Sequence, residues 1–347
     1  MRIKKYLQYI NEALGIAEPI LKISDLVLDQ ITKEFTSFFL TNKPNLVKKV
    51  IIKVPTLVRS ESIWRKFMVK DVELTVDFRR IPAEEFEHKF QVTSKLKNFN
   101  TFGACSDLID PTKVDFDDFS EVSLLNEDGT ISLKIEAGAY ISSKYTEREF
   151  KDLCTEFESA IIHELTHAYE GSIVYKTTGN PLPTGVTVAL DVNTDNIPKE
   201  VWEVWADEFT YHYYWAEPHE IRAMVADALP YVKKYNIEEL KTICPSYRFI
   251  TQMLKFDPIK LKADLIEKIK EFMPDKDPEA VLNSIKDNFA NELLQYNLDH
   301  EQVSSIDPYA IDEMTFDEFM ESARKKIHDA GEKIRRKILR LYSRERQ

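Results

Sequence analysis

Residues 160–170 read AIIHELTHAYE and set His163, Glu164 and His167 in the spacing HExxH. On a helix, side chains four apart lie one turn apart on the same side. Both imidazoles can therefore reach a single Zn2+ at about 2.0–2.1 Å, with Glu164 beside them. Such a metal lowers the pKa of a water to about 7 and polarises a scissile carbonyl, while the carboxylate takes the water's proton and passes it to the leaving amine. His163 and His167 are thus candidate ligands of one Zn2+ per chain and Glu164 the candidate catalytic residue. A third ligand has to come from elsewhere.

The motif needs a long, straight element to hold it. From Thr146 to Glu170 there is neither Gly nor Pro, and Phe150, Leu153, Cys154, Phe157, Ile161, Leu165 and Ala168 recur with helical period. This predicts a helix over about 147–172, with the two histidines on a flank of its apolar stripe. Upstream, apolar positions from Ile20 to Phe39 predict one or two helices ending at Asn42-Lys43-Pro44. Strand-like runs follow at 47–54, 72–78 and 131–139, the last after the turn signal 126–129. Residues 171–198, with three glycines and three prolines, predict a long irregular connection. Helical patterns resume near Lys199 and fill most of the remainder, with Pro218 at a first helical position.

Composition narrows the function further. Against 59 acidic residues stand 47 Lys and Arg, a net charge of -12, the wrong sign for a chain that coats itself in nucleic acid. The eight glycines form no dinucleotide, P-loop or nucleophile-elbow fingerprint. Cys105, Cys154 and Cys244 form no CxxC pair, which argues against a disulfide framework and for a reducing compartment. No apolar run suits a membrane span or a signal peptide, so neither membrane insertion nor secretion is expected. Residues 324–347 hold ten Lys or Arg and three acids, a local +7. There Ile327, Ile334, Ile338 and Leu341 predict a helix that docks one side and turns its basic side outward. The overall negative charge argues against nucleic-acid contact by this tail.

HELTHAYE on a long helix, preceded by ISLKIEAGA, resembles the zincin metallopeptidases. The resemblance implies an α+β zincin-like core, peptide-bond hydrolysis with a peptide or protein substrate, and an edge strand beside the active helix, a place that falls to 131–139. Glu170 and Ile173 stand where a metzincin has glycine and its third histidine, so a downstream glutamate, as in gluzincins, is implied instead. Two compete. Glu220 lies in YYWAEPHEIRA (213–223), which resembles a segment of small phage-encoded HExxH proteins. Glu203, the alternative, lies in EVWAD, which resembles the gluzincin ExxAD pattern whose aspartate, here Asp207, orients a ligating histidine. Glu170 or another donor is a third option. Tyr211, His212, Tyr213, Tyr214 and His219 lie close enough in sequence to be oxyanion donors, or simply packing. His88, His300 and His328 read as structural or solvent-facing.

The opening MRIKKYLQYINEA resembles the targeting peptides of internal head proteins of large tailed phages, cut after a pattern that Ile10-Asn11-Glu12 fits, and equally an amphipathic first helix. That resemblance implies a protein of the host cytoplasm or the phage head, with capsid components as partners. The expected organisation is a targeting peptide over 1–14, an α/β portion with the edge strand over 15–145, a zinc-binding core over 146–235 and a helical portion with the basic tail over 236–347. The alternative function is a phage virion or host-interaction protein that keeps the zincin fold without turnover.

Overall fold

A computed structural model describes residues 18–55, 69–90, 97–106, 131–178, 197–299 and 308–346. The opening peptide with Ile10-Asn11-Glu12, the turn signal at 126–129, most of the expected irregular connection and His300 lie outside the described residues. The protein is α+β, and its described residues are mostly helical with one four-stranded sheet. It divides into two compact units, residues 1–182 with 225–235, and residues 183–224 with 236–347. The units are not contiguous in sequence, because the chain leaves the first after its longest helix and returns to it for a short segment.

In the first unit, α1 (Glu18–Thr41) buries Ile20, Ile23, Val27, Ile31, Phe35 and Phe38, at spacings of three and four. It stops where Asn42 turns into the left-handed region, φ 49°, just before Lys43-Pro44. The sheet has the order β1 (Asn45–Lys53), β2 (Val69–Ile81), β4 (Ile131–Ser142), β3 (Phe99–Ser106). β2 and β4 run parallel, and each outer strand is antiparallel to its neighbour. Val72, Leu74, Val76 and Phe78 of β2 share a buried face with Leu133, Ile135, Ala137, Ala139 and Ile141 of β4. The expected edge position of 131–139 is therefore corrected. β4 is paired on both sides, and the edge next to it is β3, whose sequence FNTFGACS lacks the alternation that marks a strand. A short helix α2 (Ala83–Phe90), with Phe86 buried, follows β2.

After a 3-10 turn at Glu147–Glu149 comes the motif helix α3 (Phe150–Thr178). Its start is pinned by Glu149, whose carboxylate accepts from the Thr146 N–H at 3.0 Å and from the Asn98 N–H, ahead of β3, at 2.9 Å. Leu153, Phe157, Ile161, Ile162, Leu165 and Ala168 are buried. Phe35 of α1 meets Phe78 of β2 edge-on at 5.3 Å and stacks on Phe150 at 5.7 Å, so the core joins α1, the sheet and α3. The helix runs past Gly171 to Thr178, six residues beyond the expected end, because a single glycine without a following proline does not break a long helix.

The second unit begins with α4 (Lys199–Trp205), a π turn (Ala206–Thr210) and α5 (Tyr211–Trp215). Then comes α6 (Pro218–Asp227), one continuous helix within which the division between units falls. α7 (Leu229–Lys234) belongs to the first unit. Among the remaining described residues the elements are helices: α8 (Ile237–Ile243), α9 (Pro245–Lys255), α10 (Pro258–Phe272), α11 (Pro278–Asp299), α12 (Pro308–Asp312) and α13 (Phe316–Glu345). Trp205 and Phe209 sit in an aromatic core with Phe289, Phe316 and Phe319. α13 opens on a capping box between Thr315 and Glu318 and buries Ile327, Ile334, Ile338 and Leu341, the side expected to dock. Among the described residues no helix is long and apolar enough to cross a membrane.

Candidate metal centre

One polar stripe runs along α3 through Asp152, Thr155, Ser159, His163 and His167, at steps of three and four residues. The returning segment 225–235 lies along the first four of these. Lys234 Nζ donates to the Asp152 carboxylate at 2.7 Å and to Thr155 Oγ1 at 2.9 Å, and the Tyr235 hydroxyl donates to Asp152 at 2.5 Å. Burial works against the Asp152 carboxylate, but these hydrogen bonds and the Lys234 charge prevail and hold its pKa below the usual range. One turn on, Ser159 Oγ donates to the Asp227 carbonyl at 3.0 Å. The next turn brings the Asp227 carboxylate to 3.1 Å from His163 Nδ1.

That last contact decides the state of the imidazole. A carboxylate can only accept, so the proton of a neutral His163 resides on Nδ1, and Nε2 is left as a lone pair. His163 Nε2 lies 3.1 Å from His167 Nε2. Among the described residues, His163, His167 and Glu220 each bring one ligand atom to a group within 4.8 Å of one another. Glu220 is 2% exposed, and the Tyr214 hydroxyl donates to its Oε1. Two imidazole nitrogens and one carboxylate oxygen are a donor set that suits Zn2+. A hydrogen-bonded carboxylate behind one histidine and a hydroxyl on the glutamate are the orienting contacts such a set requires. Glu164, the next residue after His163 on α3, is half-buried.

The other candidates fall elsewhere. Glu203 is exposed on α4, with its carboxylate 3.3 Å from Lys199, and Asp207 is exposed in the π turn. Glu170 lies in α3, and its side chain is outside the described set. Tyr211 is exposed, and the His212 ring lies between Trp215 and Phe256. Tyr213 is buried beneath Lys326, and His219 is in the first turn of α6. His88 lies on α2 and His328, exposed, on α13. Asp227 was missed by sequence reasoning. Its signal is the seven-residue step from Glu220, two turns along one helix face, whereas the resemblance of EVWAD to ExxAD points to Asp207, four residues after Glu203. Burial pushes the Cys154 thiol up, away from nucleophilic use.

No protein-family model matches the chain, and neither a curated protein nor a solved structure matches it.

Proposed function

We propose that the protein is a zinc-dependent metallopeptidase of zincin type, with His163, His167 and Glu220 holding the metal and Glu164 as general base and acid. The observation that carries this reading is the convergence of His163, His167 and Glu220, two of them from an HExxH motif on one helix. Zinc, when bound, supplies Lewis acidity toward water and a peptide carbonyl. The remaining work belongs to the chain. Asp227 keeps His163 in the tautomer that offers Nε2, and Tyr214 fixes the rotamer of the Glu220 carboxylate. Glu164 takes a proton from the attacking water as the oxygen bonds to the carbonyl carbon, and delivers it to the amide nitrogen as the C–N bond breaks.

The test is metal content and peptide-library cleavage for wild type and Glu164→Gln. The expected result is about one zinc per chain in both, with hydrolysis by the wild type alone. Equal cleavage by the two proteins removes Glu164 from the mechanism. A zinc-loaded wild type that cleaves nothing replaces the reading with a non-catalytic zinc protein.

A further inference from the structure

The second unit contains a buried ion pair that the hydrolytic mechanism does not use. Lys326, on α13, places Nζ 2.5 Å from Glu217 Oε1, with side-chain exposures of 14% and 12%. The same ammonium lies 3.4 Å from the centre of the Tyr213 ring, which is 1% exposed. Burying two opposite charges is costly, and an apolar pair of equal volume generally serves stability as well. Burial pushes the Lys326 amine below its usual pKa, and Glu217 only partly offsets this. What the pair adds is a fixed position.

Glu217 occupies the junction between α5 and α6. Its N–H donates to the Tyr214 carbonyl at 2.9 Å, and its carbonyl accepts from the Ile221 N–H at 3.0 Å, closing the first turn of α6. Tyr214, on one side of this junction, donates its hydroxyl to Glu220, on the other. The relative placement of Tyr214 and Glu220 is therefore set where Glu217 sits. Lys326 grips that residue by its carboxylate and the preceding helix by the Tyr213 ring.

We infer that Lys326 and Glu217 are positioning residues for the metal site, holding the α5–α6 junction so that Glu220 presents its carboxylate to the ion. The inference rests on the metal-site reading above. Without Lys326, Glu217 loses the ammonium that holds its buried carboxylate at 2.5 Å. The junction then moves to bring it to water, and Glu220, three residues on, moves with it.

The test is a double-mutant cycle on the full chain, with Zn2+ as the probe and affinity read by competition with a chromophoric chelator. Lys326→Met and Glu217→Gln are each measured in the wild-type and Glu220→Ala backgrounds, with thermal unfolding of the zinc-free proteins alongside. Each substitution is expected to weaken zinc about 10–100-fold in the wild-type background and less than about twofold where Glu220 is already gone. A merely stabilising pair lowers the unfolding temperature and leaves zinc affinity of the folded protein unchanged, and that result overturns the inference. Equal losses in both backgrounds overturn it too, since the effect then bypasses Glu220. Should Lys326→Met not fold, Glu217→Gln, which keeps size and polarity, decides by the same criteria. A wild-type chain that binds no zinc is a separate outcome and overturns the metal site itself together with this inference.

Discussion

Asp227 Oδ2 lies 3.1 Å from Nδ1 of His163, while the Asp227 carbonyl accepts from Ser159 one turn earlier on the same helix. One residue thus holds the His163 imidazole through its side chain and the helix beneath it through its backbone. Asp227→Ala is expected to weaken zinc binding about 10–100-fold, because His163 loses the group that fixes its tautomer and ring orientation. Asp227→Asn, whose amide oxygen still accepts, should lose less. The Ser159 contact is to backbone and survives in both variants. Chelator competition measures this, and unchanged affinity in Asp227→Ala removes the orienting role.

The two glutamates that compete in the sequence separate by environment. Glu220 is buried under the Tyr214 hydroxyl, whereas Glu203 is exposed against Lys199 four residues earlier. Glu220→Ala should reduce zinc affinity by more than the about hundredfold expected for an orienting partner, and Tyr214→Phe by about tenfold. Glu203→Ala should leave zinc binding alone and shift stability by no more than about 0.5 kcal/mol, as exposed helix pairs do. The reverse ranking moves the site to α4.

Gly138 tests the sheet that supports α3. A Cβ there meets Phe102 Cζ at 2.2 Å and the Asp77 carbonyl oxygen, a backbone atom of β2, at 2.3 Å. Gly138→Ala is expected to destabilise the protein by about 1–3 kcal/mol in denaturant unfolding. Adding Phe102→Ala should restore only part, since the clash with the Asp77 carbonyl, a backbone atom of the paired strand, remains. Complete restoration shows that the ring alone sets the limit.

Acid should weaken the second unit through His212. Burial pushes this imidazole below its ordinary 6.5, with the nearby Glu208 charge offsetting part of the effect. The unfolded chain then binds the proton more readily than the folded one. Stability is flat above that pH and falls as pH drops through 6.5 toward the lower folded value. His212→Phe, whose ring suits the space between Trp215 and Phe256, should flatten this part of the profile. Thermal unfolding from pH 8 to pH 5 compares the two proteins. Parallel profiles assign the acid sensitivity to other groups.

Long, strongly periodic elements were legible in the sequence. α3 and the buried side of α13 follow from apolar spacing alone, and the stop of α1 at Asn42 follows from Asn42-Lys43-Pro44. The motif histidines are four apart on one helix, so their meeting is local geometry. What was not legible is long-range pairing. The alternation in β4 reads as a strand, but whether a strand is interior or edge depends on neighbours far away in sequence. β3, with Gly103 in its middle, and the eight-residue α2 are too short and too weakly patterned to register. Lys326 stands in a run of surface charges and reads as solvated. Its burial follows only from Glu217, 109 residues earlier, being brought against it.

The first unit is split in sequence, and biosynthesis has to respect that. A ribosome extrudes α3, with both histidines, well before it extrudes Asp227, Lys234 and Tyr235, which close the polar stripe of that helix. At about 5–20 residues per second the gap is on the order of several seconds. For that interval the nascent chain displays an α3 whose polar stripe still awaits its partners, and a metal captured then would meet two imidazoles without Glu220. Under the proposed function, the full ligand set is thereby not available until translation has passed Glu220. A stalled chain released between 182 and 219 retains the motif and lacks Glu220.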